Sequence, residues 1–197
     1  MEMGRLGVES YLGGGISNID IERLVGIGDF TSRSAADYDA THINSTLRAG
    51  YSIPFGKRFW ARPVVAVDYL RLSEDGYDED GALGISLRLD ERVTETMATS
   101  AMLNLGAEFN GRRTWIRPAI RAGYRKEYLD DVVTSGFFRG LDTPFALTAG
   151  EFPDEALILG LSVAAGSEYS SVGFDLDSDI RDGFVRHTGR IVVRLLF

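Results

Sequence analysis

Cysteine is absent from the chain, and histidine is scarce. None of the 197 residues is cysteine, and only two are histidine. The lack of cysteine excludes disulfides, thiolate metal sites and cysteine nucleophiles. Two histidines cannot build a three-histidine zinc site. These absences disfavour cysteine- and histidine-based catalysis, and we expect no catalytic residues, no metal and no cofactor.

Long hydrophobic runs are also missing. The longest mostly apolar stretch is 156–166, well short of the ~18 residues that a membrane helix needs. The first ten residues, MEMGRLGVES, lack the basic and apolar regions of a signal peptide. A helical membrane protein is excluded, but a β-barrel is not, because a tilted strand crosses a bilayer with ~9–11 residues.

The chain also lacks an excess of positive charge. Lysine and arginine number 21 against 29 aspartates and glutamates, which leaves a net charge of −8. Nucleic acid repels such a chain, so we expect no nucleic-acid partner.

Apolar and polar residues alternate with a period of two, as in β-strands. Successive side chains of a strand point to opposite faces. At the carboxyl end the apolar face holds Ile191, Val193, Leu195 and Phe197, and the polar face holds Arg186, Arg190 and Arg194. A helix would mix these two sets, so the pattern predicts a strand.

The same alternation predicts about eleven strands and no helix. The clear segments are 43–53, 62–69, 83–90, 101–109, 116–125, 157–164, 171–177 and 186–197, the weaker ones 6–12 and 19–27, and the ambiguous one 132–147. These segments are seven to sixteen residues long, whereas strands of soluble sheets average ~5–6. This length favours a membrane barrel.

The connections are predicted to differ in length at the two ends of the barrel. Short turns are expected at 13–17, 54–58, 92–95, 127–131 and 166–168, with 110–113 as a short exception among longer polar loops at 30–41, 73–81, 149–154 and 177–183. Outer-membrane barrels have short periplasmic turns and long external loops. With Phe197 on the periplasmic side, the acidic loop SEDGYDEDG (73–81) faces outside.

The two faces of the strands predict a hydrated lumen and a lipid-facing exterior. The residues expected to face the lumen are Arg48, Arg62, Asp68, Arg88, Glu108, Arg117, Arg121, Asp175, Arg186, Arg190 and Arg194. Two aromatic girdles are expected on the apolar face, with Tyr51, Tyr124 and Phe197 near the short turns and Tyr69 and Phe109 near the long loops. The predicted fold class is all-β, an antiparallel transmembrane up-and-down β-barrel.

Several segments resemble one known family. They are ARPVVAVDYL (61–70), DGALGISL (80–87), LNLGAEF (103–109), FALTAGEFPDEALILGLSVAAG (145–166) and RHTGRIVVRLLF (186–197). In this order, and with a final phenylalanine, residues 43–197 look like the translocator β-domain of Gram-negative autotransporters, the type V secretion systems.

This resemblance implies a barrel of about twelve strands in the bacterial outer membrane, with a helix in its pore. It implies export or anchoring of an N-terminal passenger in cis, without chemistry of its own. The expected partners are outer-membrane lipid and the barrel assembly machinery, which would recognise Ile191, Val193, Leu195 and Phe197. Residues 1–197 would then be a single domain, a fragment without the first strand, the pore helix and the passenger.

Two other function classes stay open. A stand-alone porin or adhesin barrel predicts a signal peptide and an even strand count. A soluble all-β binding protein predicts short strands and no aromatic girdles. The acidic segment 175–183 departs from a calcium-binding loop at Ile180 and Arg186, and His187 beside Ser178 lacks an evident third catalytic partner.

Overall fold

The structure, a computed structural model, describes residues 2–3, 5–81, 84–129, 133–140, 143–148 and 153–195. In these ranges no helix is long and apolar enough to cross a membrane. The described residues form β1 (Glu2–Met3), β2 (Leu6–Ile27), β3 (Phe30–Tyr51), β4 (Ile53–Phe55), β5 (Phe59–Glu74), β6 (Tyr77–Asp78), β7 (Leu87–Leu89), β8 (Arg92–Ala107), β9 (Phe109–Asn110), β10 (Trp115–Leu129), β11 (Val133–Phe138), β12 (Thr143–Thr148), β13 (Glu155–Gly166), β14 (Ser170–Arg181) and β15 (Phe184–Leu195).

Eleven of these strands form one antiparallel sheet, which we call the wall sheet. Its order is β1-β2-β3-β5-β8-β10-β13-β14-β15, with β4 paired to β5 and β9 paired to β10. The long strands neighbour one another in chain order, and the sheet is strongly curled into a half-barrel. This confirms the predicted antiparallel up-and-down barrel class.

The two faces of the wall sheet have opposite character. In β5, Val65 and Val67 are 59% and 43% exposed, whereas Val64 and Ala66, which alternate with them, are buried. The exposed face is therefore the apolar one, the reverse of a soluble sheet and the arrangement of a barrel wall in lipid.

The remaining four strands form a second sheet in the order β12-β11-β7-β6. They come from the two longest connections, β5 to β8 and β10 to β13, which leave the wall sheet at the same end. A backbone bridge between Ala35 and Asp80 ties this sheet to β3. We call this end of the wall the long-connection end and the other, with turns at 52–58, 108–114 and 167–169, the short-turn end.

The two weak strands predicted at 6–12 and 19–27 are one continuous strand, β2, and the predicted loop 30–41 belongs to β3. The glycines at 13–15 suggested a turn. Instead they make room for neighbouring side chains, because a Cβ on Gly13 would meet the Tyr11 hydroxyl and one on Gly15 would meet the His42 ring. The chain reverses later, at Gly28, whose φ is 61°.

The segments 83–90 and 132–147 were predicted as strands of the barrel, which is wrong. The described parts of them form β7, β11 and β12 of the second sheet. The wall sheet still has eleven strands, but three of them are the short β1, β4 and β9. Because the described part of 83–90 does not cross the wall, the predicted turn at 92–95 lies within β8 at the long-connection end, and residues 127–129 of the next predicted turn lie within β10 at the same end.

The predicted loop 177–183 is also shorter than expected. Strand β14 continues to Arg181, and the reversal is a tight turn at Asp182 and Gly183. Tight turns therefore occur at both ends of the wall, whereas the two long connections share one end.

Candidate functional site

The polar residues predicted to face a lumen share one face of the wall sheet, with a single exception. Cross-strand partners such as Arg62 with Asn104, Asn104 with Arg121, and Asp175 with Arg190 fix this alignment. We call it the charged face, and of the predicted residues it holds Arg48, Arg62, Asp68, Arg117, Arg121, Asp175, Arg186, Arg190 and Arg194, with Glu108 bonded to Arg117.

Arg88 is the exception. It lies in β7 of the second sheet, where its Nη2 donates to Asp78 Oδ2 at 2.8 Å. The prediction that it lines the wall is wrong, because the strand that carries it leaves the wall sheet altogether.

Ion pairs between next-nearest strands show that the charged face is concave. Arg125 Nη1 on β10 lies 2.7 Å from Asp68 Oδ2 on β5, with β8 between them. Strands are ~4.8 Å apart, so side chains two strands away meet only where a sheet curls toward them. The charged face is thus the inside of the half-barrel.

Small residues on the intervening strands make these bridges possible. Ala98 on β8 and Ala156 on β13 are 1% and 2% exposed under the bridging side chains. At Gly160 on β13 an added Cβ would collide with both Arg121 and Asp177. On the charged face, strands that carry long charged side chains therefore alternate with strands that present alanine, serine or glycine.

One ion-pair network runs along the inside near the long-connection end. Its members are Asp68, Arg125, Glu127, Arg181, Asp179 and Arg186. At its centre the Arg181 side chain is only 4% exposed. Arg181 donates to Glu127 Oε2 at 2.9 Å and to Asp179 Oδ1 at 3.0 Å.

A second cluster joins β10, β14 and β15. Arg121 Nη2 donates to Asp177 Oδ2 at 2.9 Å, and Arg190 Nη2 lies 3.2 Å from Asp175 Oδ2. Both clusters contain equal numbers of acids and bases. Such pairing offsets the cost of gathering charges on a partly buried wall.

Sequence reasoning missed Glu127, Asp179 and Arg181 as site residues. It placed Glu127 in a turn at 127–131 and placed Asp179 and Arg181 in a loop at 177–183. Glu127 instead lies in β10, and Asp179 and Arg181 lie in β14. The signal was present, since Asp175, Asp177, Asp179 and Arg181 keep the period of two into the predicted loop.

The predicted girdle residues Tyr51, Tyr124 and Phe109 lie on the outward face and are 46%, 46% and 40% exposed. The end of the barrel predicted for two of these residues is wrong. Tyr124 lies toward the long-connection end and Phe109 at the short-turn end. Counting 83–90 as a wall strand reversed the predicted direction of both segments. Tyr69 is half-buried toward the long-connection end, and Tyr51 ends β3 at the short-turn end.

The proposed assembly residues Ile191, Val193 and Leu195 line the outward face of β15 and are 70%, 65% and 60% exposed. Phe197 lies outside the described residues. Recognition of this strand stays a prediction.

Ser178 and His187 are cross-strand partners on the outward face, and Ser178 Oγ lies 2.9 Å from His187 Nδ1. Among the described residues, no carboxylate forms a hydrogen bond with this imidazole. The described part of the chain also contains no cluster of three side chains that could ligate a metal ion. The pair therefore lacks the third group that orients a catalytic histidine.

A buried ion pair fastens the second sheet to the tip of the β2–β3 hairpin, beyond the end of β5. Arg23 Nε donates to Glu79 Oε1 at 2.8 Å, and the Leu87 amide donates to Glu79 Oε2 at 2.9 Å. Tyr38 stacks on Tyr77 beside them, with ring centroids 4.8 Å apart. The Glu79 side chain is 5% exposed.

We expect Glu79→Gln to loosen the second sheet. The hydrogen bond from Arg23 holds the pKa of Glu79 below its ordinary value, against the effect of burial and with help from the Leu87 amide. A lowered pKa means that the carboxylate stabilises the fold above its unfolded pKa, and that this contribution is lost as the pH falls through the lowered value. At pH 7 the hydrogen-exchange protection factor of the Leu87 amide should fall by about ten- to a hundredfold in the variant.

The matched control is Asp80→Asn, which removes a neighbouring carboxylate that is 89% exposed and bonded to Arg139. In the Asp80→Asn variant, the protection factor of the Leu87 amide should stay close to its value in the unmodified chain. Equal losses in the two variants would contradict a special role for Glu79.

Comparison with known proteins connects this geometry to one family. A family model described as the autotransporter β-domain matches residues 2–177. A search of curated proteins found no match to the chain.

Proposed function

The chain belongs to the autotransporter β-domain family, and from this premise we propose that it exports or anchors an N-terminal passenger polypeptide at the cell surface. Members of the family are translocator barrels of the outer membrane, and this is the location of the chain. The proposed mechanism is passive, without a chemical step of its own.

One observation carries this proposal: the wall is apolar outside and charged inside, where two clusters pair acids and bases in equal number. An unfolded polypeptide cannot leave its backbone groups unpaired in hydrocarbon, because each costs several kcal/mol. A hydrated, charged inner face lets those groups stay bonded to water. Since the two clusters pair their own charges, little fixed charge is left to trap a passing chain.

Closure of the wall is part of the proposal. Within the described residues β15 pairs only with β14, and most of the other edge of β2 has no partner beyond the two residues of β1. Open strand edges are not tolerated in lipid. We propose that further strand upstream in the protein completes the barrel, and that assembly machinery reads Ile191, Val193, Leu195 and Phe197 on the closing strand.

The test is surface display. A leader and an epitope-tagged passenger are joined upstream of residue 1, and intact cells are treated with proteinase K. We expect loss of the epitope while a periplasmic marker stays intact. Heat-modifiable gel mobility of the same chain reports whether a closed barrel has formed. A heat-modifiable barrel whose epitope stays protected would contradict export and favour a stand-alone barrel.

A further inference from the structure

The short-turn end of the wall carries clustered positive charge. Its turns and approaches hold exposed Arg5, Lys57, Arg58, Arg112 and Arg113, none of which forms an ion pair among the described residues. The acidic residues there are Glu2, Glu9, which lies 3.9 Å from Arg62, Glu108, which is bonded to Arg117, and Glu168. The whole chain is acidic, with a net charge of −8, so this basic end is a local feature.

An apolar groove opens on the outward face at the same end. It has a volume of about 730 Å³. Its length follows a row of cross-strand partners, from Phe109 and Ile116 through Ala165 to Val172 and Val193. The small side chain of Ala165 between larger neighbours makes the floor of the groove.

Polar groups close the groove toward the turn. Gly111 and Thr114 line it and bracket Arg112 and Arg113 in the sequence. The Gly111 amide donates to the Thr114 carbonyl at 2.7 Å, which holds these two arginines in a tight turn beside the groove. Ser167 and Ser170 supply hydroxyl groups on the next turn.

We propose that this groove binds an anionic phospholipid. An acyl chain lies along Ile116, Ala165 and Val172, and the phosphate meets the guanidinium groups of Arg112 and Arg113. Guanidinium forks bind phosphate oxygens in pairs. Phe109 beside the groove is an aromatic side chain, and such side chains favour the boundary between hydrocarbon and headgroups.

The position of the groove favours a lipid over an acidic polypeptide. Its row of apolar partners lies on the face opposite the charged face, so a chain passing through the lumen would not meet it. The inference rests on the outer-membrane location of the wall and does not require export of a passenger.

Phe109→Trp gives a direct readout, because Phe109 lines the groove and is 40% exposed on the outward face. The two native tryptophans are removed by Trp60→Phe and Trp115→Phe, since both lie on the charged face, Trp60 over Gly106 and Trp115 beneath Arg117. This triple variant, the reporter protein, is inserted into vesicles that contain acyl-brominated phosphatidylglycerol or acyl-brominated phosphatidylcholine at equal mole fraction. We expect phosphatidylglycerol to quench its single tryptophan with an apparent affinity about fivefold higher, the gain typical of one added charge contact near a membrane surface.

Variants locate the site. In the reporter protein, Arg112→Gln with Arg113→Gln should bring the ratio of the two affinities close to one. Ala165→Phe, which fills the groove floor, should weaken quenching by both lipids. The matched control, Arg5→Gln with Lys57→Gln, removes the same charge from the same end and should leave the ratio within about twofold.

Three outcomes would overturn the proposal. One is equal quenching by the two lipids in the parent protein, and another is an unchanged ratio in the Arg112 and Arg113 variant. The third is displacement of phosphatidylglycerol from detergent-solubilised protein by poly-glutamate, which would assign the site to an acidic polypeptide. Heat-modifiable mobility of each preparation shows separately whether the wall is inserted, so failure of the barrel is distinguishable from failure of the lipid site.

Discussion

Replacing Arg181 by methionine is expected to destabilise the barrel by about 3–5 kcal/mol. Its side chain is 4% exposed and bridges Glu127 and Asp179, which are 14% and 13% exposed. Methionine keeps most of the length of the side chain but leaves two poorly solvated carboxylates without their shared cation. The measurement is urea unfolding in detergent micelles, followed by tryptophan fluorescence.

The matched control is Arg186→Gln. Arg186 Nη2 lies 3.0 Å from the same Asp179, but the Arg186 side chain is 66% exposed. Exposed ion pairs contribute about 0–1 kcal/mol, so this variant should unfold near the parent midpoint. If both variants lose the same stability, burial of Arg181 is not what makes the network important.

Replacing Gly160 by leucine is the second change with a large expected effect. A Cβ at this position would collide with Arg121 and Asp177, which bridge over β13. The side chain must either expel that ion pair or push β13 out of the curled sheet. We expect a loss of about 2–4 kcal/mol, combining overpacking with a broken, partly buried ion pair, and a smaller fraction of heat-modifiable protein.

Gly173→Leu is the control for this change. Gly173 lies on the charged face of the neighbouring β14, and the nearest atoms to its added Cβ are 3.9 Å away. That variant should refold almost as well as the parent protein. A similar loss at both glycines would show that strand glycines matter here for backbone reasons and not for the bridge over β13.

Alternation of side chains explains why much of the wall could be predicted from the sequence. One face of a membrane strand meets lipid along its whole length, so apolar residues recur at every second position, as in β15 with Ile191, Val193 and Leu195. The charged face follows from the same parity. Parity alone predicts that Arg121, Asp175 and Arg190 lie on it.

Strand ends and strand partners were less predictable. The glycines at 13–15 suggest a turn in the sequence. In the structure they lie within β2, and the side chains of Tyr11 and His42 occupy the space that a Cβ at Gly13 or Gly15 would take. The segments 83–90 and 132–147 alternate like wall strands, yet they pair with each other in a separate sheet. Alternation records which face a residue takes, and it carries no information about which sheet the strand joins.

The sequence by itself determined the class of the protein: an antiparallel membrane barrel with one apolar and one charged face, because parity is a property of each strand alone. Only the tertiary structure decided which charges meet. Asp68 and Arg125 lie 57 positions apart in the chain and on strands separated by a third. They bond because the sheet curls and because the strand between them carries alanine and serine, and curvature is set by all the strands together.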